Sequence, residues 1–177
     1  MVAILSSSFG AVILAAGRWT ADRRSDEDAG MAGTARKSAA DLLEAARSVI
    51  QRVAPETAWA ASGAGEALIV DIRSDDERRR DGIVPASLHV PRTVLEWRVD
   101  PESGWSNRHV VATQRRLILL CAHGWSSSFA AATLVDLGYR DAGDVEGGFE
   151  AWVAAGLPTA SATERPAGVL PGMAPPD

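Results

Sequence analysis

The sequence predicts an α/β fold in which roughly five parallel strands form one sheet with helices on both faces. Residues 67–72 and 116–121 are continuous apolar runs, the pattern of strands that are covered on both faces. Helical patterns alternate with strand patterns along the chain, as parallel strands joined by crossover helices require. The chain has 177 residues, of which 46% are hydrophobic, so it is long enough for one such domain with extensions.

Each element of the first half has a local signal. Ser38 can cap a helix whose apolar residues recur at spacings of three and four. Pro55 suits the first turn of a second helix, and Gly82 ends a third, short helix of charged residues. In chain order we predict a helix after Ser38, a strand at 52–53, a helix from 55 to about 62, a strand at 67–72 and a helix at 75–81.

The second half continues the alternation. Pro91 closes a brief strand, since proline cannot donate to a sheet ladder, and Gly138 ends a long helix. We expect Trp97, Trp105 and Trp152 to be packing residues. In chain order we predict a strand at 87–90, a helical turn at 93–98, a central strand at 116–121, a helix from 126 or 127 to 137, a strand at 141–145 and a helix from 147 to 156.

We divide the chain into three parts. Residues 1–35 form a flexible or apolar N-terminal extension, 36–158 form the folded domain, and 159–177 form a tail rich in Pro, Ala and Gly that we expect to be disordered. The apolar stretch at 2–16 follows no positive charge and is too short to span a bilayer, so we do not expect export or membrane insertion. Met31 is an alternative natural start.

Charge and cysteine content exclude several classes of function. The net charge is −5, and we expect no nucleic-acid partner, because phosphate binding requires clustered Lys and Arg. The lone cysteine, Cys121, rules out an internal disulfide and a multi-cysteine metal site, and it fits a cytoplasmic location. Histidines and acidic residues show no recognisable metal-ligand spacing, and nothing implies an organic cofactor.

Cys121 ends the second apolar run and is the candidate nucleophile. Functional groups in open α/β sheets collect beyond the carboxyl ends of the strands. The following loop is short, and Gly124 permits the positive φ that curls backbone N–H groups into a cup. Such a cup, with the positive end of the next helix, favours a thiolate or persulfide anion. The alternative is that Cys121 is simply a small buried residue that ends a core strand.

Four motifs occur in a fixed order around this loop. They are Asp-Ile-Arg at 71–73, the segment 85–91 with proline at both ends, a Cys-x-x-Gly loop at 121–124, and Glu-Gly-Gly-Phe-Glu-Ala-Trp at 146–152 followed by Gly-Leu-Pro at 156–158. Together they resemble the rhodanese family over about residues 50–158, and the last motif is the most specific. The resemblance implies a rhodanese-like fold and a sulfurtransferase.

The same resemblance implies a mechanism and its partners. Cys121 would accept a sulfane sulfur, hold it as a persulfide and pass it on. Backbone N–H groups of the loop would hold the anion, with the hydroxyls of Ser126 and Ser127 as further donors. Asp71 and Arg73 would brace the loop from the neighbouring strand end, the alternative being that they touch the substrate. The implied sulfur donor is thiosulfate or a small-molecule or protein persulfide, and the implied acceptor is a thiol or cyanide-type nucleophile.

The loop departs from the family pattern in ways that bear on the substrate. Ala122 and Ser126 stand where many sulfurtransferases carry arginines that attract thiosulfate. His123 either shuttles a proton or is an exposed residue without a role. Trp125 either forms an apolar wall for a bulky persulfide donor or packs on the domain edge. Arg92 and Arg98, beyond the third strand, could supply cations at the rim of the pocket.

Two rival functions remain beside the enzyme. A rhodanese-like domain with such a loop could be a catalytically weak regulatory or binding module. Phosphatase or arsenate-reductase chemistry, which related folds perform, requires an arginine where this chain has Ser127, because a guanidinium neutralises the transferring anion.

Overall fold

The structure is a computed structural model that describes residues 36–162, so the predictions for 1–35 and for 163–177 lie outside the described residues. The elements, in chain order, are α1 Ala39–Ser48, β1 Gln51–Val53, α2 Pro55–Gly63, β2 Ala67–Asp71, α3 Asp75–Asp81, β3 Leu88–His89, a 3-10 turn Arg92–Val94, α4 Leu95–Val99, α5 Arg108–Val111, β4 Arg116–Leu120, α6 Ser126–Asp136, β5 Gly143–Val145 and α7 Gly148–Ala154.

The helix starts confirm the local signals. Ser38 Oγ accepts a hydrogen bond from the Asp41 N–H at 3.1 Å, and Asp41 accepts one from the Ser38 N–H at 2.8 Å, which closes a capping box at α1. Ser74 and Glu77 form the same arrangement at α3. Pro55 occupies the first turn of α2, where its missing N–H costs nothing. These signals act over three residues, so they depend little on the rest of the fold.

The five strands form one parallel sheet in the order β1-β5-β4-β2-β3, which confirms the predicted fold class. β4 lies at the centre, between β5 and β2. Because all strands run in the same direction, their carboxyl ends meet at one edge of the sheet. The loops that follow β2, β4 and β5 therefore come together there.

Two apolar clusters cover the two faces of the sheet. In β4, Leu117 and Leu119 belong to one cluster, whereas Ile118 and Leu120 belong to the other. The first cluster includes residues of α4 and α6, and the second includes residues of α2 and α7. The alternation along the strand explains why a strand buried on both faces has a continuous apolar sequence.

The structure differs from the sequence prediction in three details. α5 was not predicted, and β3 and β5 are shorter than the predicted segments 87–90 and 141–145. Trp152 is buried as expected, but the prediction for Trp97 and Trp105 is wrong, since they are 63% and 56% exposed. Whether an aromatic side chain is covered depends on which elements pack over it, and the sequence near the residue does not specify this.

The described chain continues in contact with the domain beyond residue 158. Ile83 and Ala160 form an antiparallel bridge, with N–H to O distances of 2.8 and 2.9 Å. This bridge lies two residues beyond the predicted boundary at 158, within the segment that we predicted as a tail. Within residues 36–162, no helix has the length and apolarity needed to cross a bilayer.

Candidate active site

Cys121 directly follows β4 and is 6% exposed. Its Sγ accepts the N–H groups of Gly124 at 3.2 Å and of Ser127 at 3.4 Å. The Ser127 hydroxyl oxygen lies 3.2 Å from the same sulfur. Two converging backbone donors stabilise negative charge on sulfur, as an activated cysteine requires.

The N-terminus of α7 fixes the direction of the loop's peptide groups. The Phe149 N–H donates to the Cys121 carbonyl at 2.8 Å, and the Glu150 N–H donates to the Ala122 carbonyl at 3.1 Å. These bonds hold the carbonyls towards the helix. The Gly124 N–H is then free to point at the sulfur.

Two glycines permit this close approach of loop and helix. Gly124 has a φ of +72°, and a Cβ there would lie 2.8 Å from the Gly147 nitrogen. Gly148 has a φ of +65°, and a Cβ there would lie 2.4 Å from the Cys121 carbonyl oxygen. Both contacts are with backbone atoms that cannot rotate away, so any side chain would move the loop.

A buried carboxylate lies behind the sulfur. Asp144, on β5, is fully buried and accepts the hydroxyls of Ser127 at 3.1 Å and Ser128 at 2.7 Å on its Oδ2. Arg52 of β1 donates from Nε to Asp144 Oδ1 at 2.9 Å. The register of β1 against β5 places these two residues side by side. The ion pair and two hydroxyls thus satisfy a charge that could not remain buried alone.

Arg47 of α1 holds the loop and the start of α6 through two hydrogen bonds. Its Nη2 donates to the Gly124 carbonyl at 2.9 Å, and its Nε donates to Ser128 Oγ at 3.3 Å. Together with the bonds from α7, this contact holds the loop between two helices.

A cavity of about 400 Å³ adjoins the cysteine. Its charged rim groups are engaged by neighbours: Arg92 donates to Glu96 at 2.6 Å, and Glu77 accepts from Ser74. The hydrogen bonds from Ser74 hold the pKa of Glu77 below its ordinary value, so the rim carries an anion. The cavity is lined by Ile72, Arg73, Ser74, Glu77, Pro91, Arg92, Thr93, Cys121, Ala122, His123, Trp125 and Ser126.

Asp71 and Arg73 form a buried pair at the end of β2. Arg73 donates from Nε and Nη2 to the two Asp71 oxygens at 3.0 and 2.7 Å, and its guanidinium lies 3.7 Å from the centre of the Phe149 ring. His89 Nε2 lies 2.9 Å from the Arg73 carbonyl, and burial lowers the pKa of His89. The pair thus connects β2 to β3 and to α7, the helix that shapes the loop.

His123 and Trp125 stand at the exposed crest of the loop. His123 Nδ1 lies 3.1 Å from a Glu150 carboxylate oxygen, and its ring centre is 5.7 Å from that of Trp125. Trp125 is 61% exposed. Both residues also line a second cavity of about 540 Å³ on the α7 side. They therefore form a wall shared by two cavities.

The structure brings most of the sequence-predicted site residues to one place. Gly124 and Ser127 contact the sulfur, and Asp71 holds Arg73. Arg98 does not line the cavity and instead donates to the Trp105 carbonyl at 2.8 Å. The predicted residues that line the cavity are Arg73, Arg92, Cys121, Ala122, His123, Trp125 and Ser126. Sequence reasoning missed Arg47, Arg52, Ser128 and Asp144. Asp144 is an acidic residue inside the predicted strand at 141–145, and this unusual position is the signal by which it could have been found. Within residues 36–162, no group of three or more His, Cys, Asp or Glu could hold a metal ion.

Comparisons with known proteins match the same part of the chain. The family model of the rhodanese-like domain matches residues 54–155. Thiosulfate sulfurtransferase GlpE of Pseudomonas syringae is 34% identical over 102 residues, which cover 58% of this chain and 86% of that protein. The GlpE protein of Stutzerimonas stutzeri is 36% identical over 104 residues, covering 58% and 84%.

Two solved structures are also similar. A Rhodopseudomonas palustris protein, described as of unknown function and as a possible tyrosine phosphatase, is 35% identical with a TM-score of 0.67 over 74% of this chain and 100% of its own. The thiosulfate sulfurtransferase of Pseudomonas aeruginosa is 27% identical with a TM-score of 0.53, over 67% of this chain and 21% of its own.

Proposed function

The chain belongs to the family of rhodanese-like domains, and on that premise we propose that it is a sulfurtransferase that carries sulfane sulfur as a persulfide on Cys121. The observation that carries this proposal is the pair of backbone N–H groups, from Gly124 and Ser127, that converge on Sγ. Relatives named thiosulfate sulfurtransferase support the reaction class.

The transfer takes two balanced steps. The Cys121 thiolate attacks the outer sulfur of the donor, a new S–S bond forms, and the donor leaves as sulfite from thiosulfate or as a thiolate from a persulfide. The acceptor then attacks the outer sulfur of the Cys121 persulfide. The S–S bond breaks and Cys121 leaves as a thiolate. The loop N–H groups stabilise the negative charge that each step places on sulfur.

The charges at the rim favour a donor of low charge. Arg92 is paired with Glu96. Arg73 and Arg78 both contact Asp71, and Arg78 also lies 3.7 Å from Asp75, so acidic partners offset each arginine. Glu77 adds a negative charge to the cavity wall. A thiosulfate dianion therefore meets little uncompensated positive charge there, whereas Trp125 offers apolar surface. We propose persulfides of thiols as better donors than thiosulfate, and the cytoplasm, where the lone cysteine stays reduced, as the location.

Intact mass spectrometry tests the proposal directly. Reduced protein is incubated with thiosulfate or with a thiol persulfide, and we expect a gain of one sulfur atom that cyanide then removes. Cys121→Ser, the matched control, should gain none. If no donor adds sulfur to the wild-type chain, the sulfurtransferase proposal fails and a regulatory or binding module is favoured.

Phosphatase chemistry is the contrasting outcome, because the Rhodopseudomonas palustris relative is described as a possible tyrosine phosphatase. The loop 122–127 contains no arginine to hold a transferring phosphoryl group. We therefore expect no hydrolysis of p-nitrophenyl phosphate above that of Cys121→Ser.

A further inference from the structure

One buried charge close to the sulfur has no part in the function proposed above. Asp144 is fully buried and is joined to Cys121 through Ser127. We propose that Asp144 is a positioning residue that turns the Ser127 hydroxyl hydrogen away from the sulfur and so restrains the ionisation of Cys121. Its consequence for sulfur transfer rests on the function proposed above.

Ser127 has one hydroxyl hydrogen and two neighbours that can accept it. Its Oγ lies 3.1 Å from Asp144 Oδ2 and 3.2 Å from Cys121 Sγ. A carboxylate is a stronger acceptor than a thiol sulfur, so the hydrogen points to Asp144 while Cys121 is protonated. The Ser127 oxygen then faces the sulfur with a lone pair. This arrangement suits an S–H donor and opposes a negatively charged sulfur.

The rest of the network allows the hydroxyl to change partners. Asp144 keeps the Ser128 hydroxyl at 2.7 Å and Arg52 Nε at 2.9 Å even if Ser127 turns away. Ionised Cys121 can therefore receive the Ser127 hydrogen without leaving the carboxylate unsatisfied. Asp144 and the sulfur compete for a single donor.

The charged groups around the pair determine the sign of the effect. They are Arg52 of β1, Arg47 of α1, Asp71 and Arg73 at the end of β2, Glu77 of α3, Arg92 after β3, and His123 and Glu150 at the crest of the loop and on α7. Arg52 contacts Asp144 directly and offsets its charge. Removing the acid should favour the thiolate, whereas removing the arginine should oppose it, because like charges in the interior repel.

This restraint affects both steps of the transfer. Sγ is negative when it attacks the donor and again when it departs from the outer sulfur. By opposing that charge, Asp144 slows loading, slows the loss of sulfur to weak nucleophiles, and protects the free thiol from alkylating agents.

Asp144→Asn is the decisive variant, because asparagine has nearly the same shape. Its amide oxygen can accept from Arg52 while its amide nitrogen donates to Ser127 and Ser128, which leaves the Ser127 hydrogen for the sulfur. At pH 7 we expect iodoacetamide to alkylate Cys121 roughly tenfold faster, and the midpoint of the pH profile to move to lower pH.

Arg52→Gln is the matched variant, since it breaks the same ion pair but keeps the carboxylate. We expect alkylation to be roughly threefold slower and the midpoint to move to higher pH. If Asp144 only linked β5 to β1, the alkylation rate and the pH midpoint would change in the same direction in both variants. That result, or no shift in either, would overturn the proposal. Thermal melts by circular dichroism establish that each variant is folded. If Asp144→Asn does not fold, the direction in which Arg52→Gln changes the alkylation rate still tests the proposal.

Ser127→Ala tests the route of the effect. In this background Asp144→Asn should accelerate alkylation less than in the wild type, because the hydroxyl through which it acts is gone. An undiminished acceleration would overturn the assigned role of Ser127. Iodoacetamide reads the thiol without any sulfur transfer. Opposite shifts in alkylation with no sulfur gained from any donor would therefore retain this inference and reject the proposed function.

Discussion

Replacing Gly148 by alanine should separate the loop that follows Cys121 from α7, the helix that orients its peptide groups. Gly148 has a φ of +65°, and its Cβ would lie 2.4 Å from the Cys121 carbonyl oxygen and 2.7 Å from the Gly124 nitrogen. Both neighbours are backbone atoms, so the loop and α7 must separate. Gly156 is the matched control, because its φ is +68° and nothing lies within 4 Å of its Cβ position.

The size of the effect follows from two contributions. The left-handed conformation costs an alanine about 1–2 kcal/mol at either position. Separation at Gly148 also breaks the bonds from the Phe149 and Glu150 N–H groups to the loop carbonyls, at 2.8 and 3.1 Å. Each is worth about 1 kcal/mol. Gly148→Ala should thus lower the free energy of unfolding by about 3–4 kcal/mol, against about 1–2 kcal/mol for Gly156→Ala.

Urea unfolding followed by tryptophan fluorescence measures this difference. The rate of sulfur loading, followed by intact mass, should fall on the order of tenfold or more in Gly148→Ala, because the loop donors no longer converge on the sulfur. Gly156→Ala should load at the wild-type rate. Equal unfolding free energies for the two variants, together with wild-type loading in Gly148→Ala, would refute the role given to this contact.

Three further predictions use other contacts. Burial holds the pKa of His89 below its ordinary value, so the unfolded chain takes up a proton at higher pH than the folded one. The folded protein therefore loses stability as the pH falls below about 6.5. His89→Gln should show a smaller decrease in Tm than the wild type between pH 7.5 and 5.5. Tyr139→Phe removes the 2.6 Å bond from Tyr139 Oη to the Val99 carbonyl and should cost about 1 kcal/mol in urea unfolding. Glu96→Gln frees Arg92 from its ion pair. The KM for thiosulfate should then fall roughly threefold at low salt, whereas the KM for an uncharged donor should change little. An unchanged KM for thiosulfate would mean that Arg92 does not reach the donor.

The local signals of the sequence determined much of the architecture. Ser38 and Pro55 predicted helix starts because caps and first turns involve neighbours within three residues. The continuous apolar run at 116–121 predicted a central strand, since a strand covered on both faces cannot alternate. The order of motifs around Cys121 predicted the family. α5, four residues long, has too little pattern for such a prediction.

What surrounds the sulfur was decided by the tertiary structure. Gly124 and Cys121 are close in the chain, so their loop could be recognised from sequence. Asp144 and Arg52 meet behind the sulfur because β5 lies between β1 and β4, an order that no local pattern encodes. Hydrogen bonds are satisfied by whichever groups the packed strands bring within reach. The sequence therefore determined which cysteine is the candidate nucleophile, and the packing of distant elements decided which donors and charges control it.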